Sequence, residues 1–66
     1  MRFGPDDAPA YTRKAATRPL RRLWARVANA EMLDHGEERR AIRSASAAVK
    51  RAADGRAQVA AGVAAG

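Results

Sequence analysis

From Leu20 onward, large apolar side chains recur at intervals of three and four: Leu20, Leu23, Trp24 and Val27, with Ala30 beyond. At about 100° per residue these positions share one stripe of a helix, and Arg18, Arg21, Arg22, Arg26 and Asn29 spread over the opposite side. Thr17 suits the N-cap, and Pro19 stands where its missing N–H costs nothing. Met32 and Leu33 leave the stripe, positions suited to covering its end or touching a neighbour. Gly36 suits a left-handed terminator. The pattern predicts a first helix over residues 18–35.

A second stripe follows, built mostly of small residues: Ala41, Ile42, Ala45, Ala48, Val49, Ala52 and Ala53. Glu37 and Glu38 suit the positive end of this helix, and Asp54-Gly55 is expected to terminate it, giving residues 37–54. Arg39, Arg40, Arg43, Lys50 and Arg51 occupy the remaining faces with Ser44, Ser46 and Ala47. Small residues permit close approach, so Trp24 and the leucines are expected to lie over the alanine strip.

Outside the two helices the pattern weakens. Residues 1–17 contain Gly4-Pro5-Asp6-Asp7 and Pro9, which is turn chemistry, so this stretch reads as an arm. Residues 11–16 suit a helical turn lying across the body. Residues 56–66 hold alanine, glycine and valine; they read either as a short third helix with Val59 and Val63 folding back, or as a fraying tail. The expected fold is all-α, one small domain over residues 1–66. Its body is a hairpin or bundle of two main helices, with an N-terminal arm.

A chain of 66 residues forms one domain at most, and a domain near that size buries only about 60% of the surface its unfolded chain exposes. There is no cysteine to supply a disulfide or a thiolate metal site. The candidate core is short: Leu20, Leu23, Trp24, Val27, Met32, Leu33, Ile42, Val49, Val59 and Val63. Self-association as a weak homodimer is as compatible with so small a core as a monomer. A bilayer span needs about 20 apolar residues, and no such run is present. One arginine without a following apolar run does not make a secretory signal. A soluble protein of the cytoplasm is expected.

Charge changes the picture most. The chain carries 13 Lys and Arg against 7 Asp and Glu. Arg13, Lys14, Arg18, Arg21, Arg22 and Arg26 follow one another with no acidic residue between them. Such a run favours phosphate backbones, anionic membrane or an acidic protein groove. The preference for arginine fits planar, paired contacts to phosphate or carboxylate.

Catalysis finds no support. His35 is the single histidine, beside Asp34 at a helix end. Asp6-Asp7 and Glu37-Glu38 are sequence neighbours that point apart, Gly4 and Gly36 are isolated turn glycines, and Ser44 and Ser46 have no base. No enzyme activity, metal, cofactor or small-molecule substrate is expected. Trp24 reads as the centre of the core, with base stacking as the alternative. Tyr11, with Arg13 and Lys14 shortly after it, suits packing on a base, fitting a protein groove, or stapling the arm.

Asp7-Ala8, Tyr11-Thr12-Arg13-Lys14-Ala15, Trp24, Val27-Ala28-Asn29, Gly36, Glu38, Ala41-Ile42-Arg43 and Ala45 fall in the order of a known motif. In this order they resemble a group of short helical proteins encoded in phages and prophages. The AIRSASAAVKR segment is similar, more distantly, to the basic helical end of ChaB-type proteins. Tyr11 stands where that group usually has His, Ser46 where Asn is common, and Glu31 where an apolar residue is usual. The resemblance implies a helical fold and a phage or prophage setting, hence the cytoplasm of a bacterial host. It implies little about activity.

The expectation is a basic binding module whose partner is nucleic acid or a host nucleoprotein complex. Its contact residues would be Arg13, Lys14, Arg18, Arg21, Arg22 and Arg26, joined by Arg39, Arg40, Arg43, Lys50 and Tyr11. The alternative is an inhibitor of a host defence complex of the anti-CRISPR type, blocking target DNA by protein contact. A minor virion or head-assembly component is the third reading.

Overall fold

A computed structural model of the protein describes the backbone of residues 2–65 and the side chains of residues 2–55. A 3-10 turn, Pro5–Asp7, leads into α1 (Ala8–Tyr11); the two long helices are α2 (Arg18–His35) and α3 (Glu38–Ala65). The described residues form no strand, and α2 packs along α3 as the all-α hairpin expected.

The start and stop of α2 follow from local chemistry. Thr17 is extended (φ −116°, ψ 160°) and its carbonyl accepts the Arg21 N–H at 3.0 Å. Pro19, in the first turn, gives up no internal hydrogen bond. At the other end Gly36 takes φ 65°, and its N–H donates to the Met32 carbonyl at 2.9 Å. That left-handed turn reverses the chain, and α3 begins two residues later.

The end of α3 corrects one expectation. The helix does not stop at Asp54-Gly55 but continues to Ala65, so there is no separate third helix. Gly55 sits in ordinary helical backbone, and Gly36 is the one positive-φ residue among those described. A single glycine costs a helix about 1 kcal/mol relative to alanine, too little to interrupt an alanine-rich run. Whether Val59 and Val63 fold back lies outside the described side chains.

The core is a tryptophan set against small residues. Trp24 and Val49 are fully buried, as are Ala28, Ala41 and Ala45. The absent bulk at 41 and 45 lets the indole lie between the helices, where its Nε1–H donates to Ser46 Oγ at 3.3 Å. Ser46 therefore satisfies the one polar atom of the central core residue, rather than facing solvent beside the arginines. Leu23, Val27, Met32 and Ile42 pack at the margin, half-buried.

The arm is part of the domain. Phe3, Ala8 and Ala15 join the core, and Phe3 had no place in the periodicity. Its ring meets Trp24 edge-on (5.4 Å, 83°), while Tyr11 stacks on the indole (5.3 Å, 9°). Asn29 secures the arm's start. The Phe3 N–H donates to Asn29 Oδ1 at 2.9 Å, and Asn29 Nδ2 donates to the Phe3 carbonyl at 2.9 Å. Asn29 thus faces the arm, although the helical wheel sets it among the arginines. The helical turn falls at Ala8–Tyr11 and not over residues 11–16, because Thr12 is extended (φ −151°, ψ 134°).

Candidate functional site

The most regular basic feature is a row on α2. Arg18, Arg22 and Arg26 are all exposed, and they lie about 120–200° round the helix from Trp24. Their i, i+4 spacing sets neighbouring side chains about 6 Å apart along the axis. Among the described residues none of the three has an ion pair or hydrogen bond from its side chain. The row is held on a helix whose opposite face is the core, so its guanidinium groups project outward from a fixed backbone.

Other cations of the predicted set are engaged within the molecule. Arg21 is half-buried, and its Nε donates to the Ala15 carbonyl at 3.2 Å, fastening the far end of the arm to α2. Lys14 Nζ lies 3.9 Å from Asp54 Oδ1, and Arg40 Nε 4.0 Å from Glu31 Oε2. The Lys14–Asp54 pair is solvent-exposed, and contacts of that kind contribute little, about 0–1 kcal/mol, whereas Glu31 in the second pair is half-buried. Arg13 is exposed in the turn after α1. Arg39, Arg43 and Lys50 are exposed on α3, about 80–120° from Val49 on the side toward which Ser46 and the arm lie.

The basic residues are therefore not gathered on one surface. The α2 row points away from α3, whereas Arg39, Arg43 and Lys50 leave α3 on the flank beside the arm. Pro5 and Asp6 of the arm approach Arg18, Arg21 and Arg22 to line a shallow hollow. The Asp6 carboxylate lowers the positive potential at that end of the row.

Tyr11 acts in the molecule as the staple that was one of its three readings. One face of its ring covers Trp24, and the residue stays 48% exposed. Trp24 itself is fully buried, so it is unavailable for stacking on a base. His35 Nε2 lies 3.5 Å from Glu31 Oε2, one helical turn away, and that carboxylate also approaches Arg40. Among the described residues no group of three His, Asp or Glu side chains is placed to hold a metal. Among the described residues no helix is long and apolar enough to cross a membrane.

Sequence reasoning missed one surface. Leu33, counted there as a core former, is 88% exposed. It stands at the end of an apolar groove of about 480 Å³ between the arm and α2, lined also by Phe3, Pro5, Ala25, Arg22 and Arg26. The signal was present in part, since Leu33 falls off the helical stripe. What the pattern did not carry was Phe3 as the groove's other wall. No protein family, curated protein or solved structure matches this chain.

Proposed function

We propose that this protein is a small phage- or prophage-encoded binding protein of the bacterial host cytoplasm that engages a nucleic-acid backbone through its arginine-rich surface. The observation that carries the reading is the Arg18–Arg22–Arg26 row: three exposed guanidinium groups at regular spacing with no internal partner among the described residues. The formal net charge of +6 supports it by drawing the protein toward polyanions. So does the resemblance to short phage and prophage proteins through Trp24, Val27-Ala28-Asn29 and Ala41-Ile42-Arg43.

The row positions the protein on phosphates and reads no sequence, because arginines on phosphate oxygens carry none. Arg39, Arg43 and Lys50 form a second contact set on a different flank, suited to a strand that bends round the hairpin or to a second strand. Arg13 extends the surface from the arm, with Lys14 and Arg40 available once their pairs open. Arg21 serves the fold first.

The test is duplex DNA or RNA binding as a function of salt. Each phosphate contact contributes a slope of about −0.9 in log K against log salt on a duplex. Replacing Arg18, Arg22 and Arg26 by glutamine is expected to flatten that slope by about 2.7. Undiminished binding by the triple variant at every salt concentration would reject the proposal.

A further inference from the structure

The groove beside Leu33 has a chemistry that the phosphate-binding row does not explain. Its walls are Phe3 and Pro5 from the arm, Ala25 forms its floor on α2, and Leu33 stands at its end. No carboxylate lines it, and its polar lining is Arg22, Arg26 and Asn29, of which the two arginines carry charge. Leu33 is the most exposed large apolar side chain among the described residues, at 88%. The arm that forms one wall is fixed to Asn29 by two 2.9 Å hydrogen bonds, so the groove is preformed.

We infer that this groove docks an acidic amphipathic segment of a partner protein, seating an apolar side chain against Leu33 and Phe3 and two carboxylates on Arg22 and Arg26. Charge complementarity selects this occupant. Arg22 and Arg26 are one helical turn apart, about 6 Å along the axis, which matches Asp or Glu at i and i+4 of a partner helix. Leu33 lies about 10 Å further along α2, two turns beyond Arg26 and three beyond Arg22, so the partner's apolar anchor belongs about two turns from the nearer carboxylate and three from the other. A second copy of this chain is disfavoured, because an isologous contact would bring Arg22 and Arg26 against the same cations. Duplex DNA presents phosphate at its outer surface and offers no apolar side chain to fill the groove. The inference shares Arg22 and Arg26 with the proposed function, but it stands on Leu33 and Phe3, which that function does not use.

The test uses the full chain and a synthetic helical peptide of about 15 residues, carrying one leucine and two glutamates at the matching register. A scrambled peptide of identical composition and a duplex DNA serve as comparisons. Binding is measured by fluorescence anisotropy, and the site by amide chemical-shift changes at Phe3, Ala30 and Leu33. Leu33→Ser is expected to weaken the ordered peptide about tenfold. Arg22→Gln with Arg26→Gln is expected to do the same, while Leu33→Ser leaves duplex affinity unchanged. Equal affinity for the ordered and scrambled peptides would overturn the inference, since charge alone would then suffice. So would a Leu33-dependent homodimer in sedimentation, or Leu33-dependent binding to vesicles of anionic phospholipid that exceeds peptide binding.

Discussion

Replacing Asn29 by alanine isolates the clasp that holds the start of the arm. The substitution removes two reciprocal hydrogen bonds, each 2.9 Å long and partly buried, between the side-chain amide and the Phe3 backbone. A net contribution of about 0.5–1.5 kcal/mol per bond gives a loss of about 1–3 kcal/mol for the pair. Rehydration of the freed Phe3 N–H and carbonyl brings the expected value toward the lower half of that range. For a domain of this size total stability is about 3–10 kcal/mol, so the loss is a large share of it. The midpoint of thermal unfolding should fall by about 4–8 °C for each kcal/mol.

The assay is a thermal melt followed by far-ultraviolet circular dichroism and by the emission of Trp24, the single tryptophan. Release of the arm's start uncovers the indole on the side where Phe3 now covers it. Emission should therefore shift to the red before helicity is lost, and quenching by acrylamide should increase. Asn29→Asp sharpens the test. It keeps an acceptor for the Phe3 N–H but sets a carboxylate oxygen against the Phe3 carbonyl, so it should cost at least as much as alanine. An Asn29→Ala variant with the parent's melting point and tryptophan emission would refute the assignment of Asn29 as the arm's clasp.

Three further outcomes are expected. Gly36→Ala should lower stability by about 1–2 kcal/mol in chemical denaturation, because φ is +65° there. A Cβ at that position meets nothing closer than the Met32 carbonyl at 4.0 Å, so the penalty is conformational and Gly36→Asn should recover part of it. Ala45→Leu should cost about 1–3 kcal/mol by the same measurement, since Ala45 is fully buried in the same core as Trp24 and the added volume has no room there. Arg18→Gln, Arg22→Gln and Arg26→Gln together should leave unfolding free energy within about 0.5 kcal/mol of the parent, as exposed side chains without internal partners. A large loss in that variant would show the row to be structural.

The two helices were legible because their signals are local. Pro19 and Gly36 each act within one turn of the boundary they set; Thr17 holds the N-cap position in extended backbone without a capping hydrogen bond from its side chain, and α2 begins and ends at the expected residues. The stripe around Trp24 likewise implied a core seam that the molecule contains. The far end of α3 was not legible, because an Asp-Gly pair is a terminator only when the glycine adopts a left-handed backbone. At Gly55 the alanines on either side favour continuing the helix. Phe3 was hidden for another reason. Its partner Asn29 is 26 residues away, and a lone aromatic among Gly, Pro and Asp has no period to read.

The same division holds at the site. The Arg18–Arg22–Arg26 row follows from helical spacing alone. The engagement of Arg21 by Ala15 and of Lys14 by Asp54 depends on where the arm docks, which no local pattern records. The groove at Leu33 needs both long-range contacts and the absence of a covering segment.

Among the described residues, six of the ten that form the core are alanine: positions 8, 15, 25, 28, 41 and 45. A methyl group has almost nothing left to remove, so changes along this interior run nearly always toward more volume, and the helices stand too close to take it. The outward arginines meet no such limit and are free to be exchanged, moved or lost without disturbing the scaffold. A molecule built this way tolerates wholesale redesign of its exterior while its interior stays almost immovable, which makes it a natural carrier on which to vary specificity.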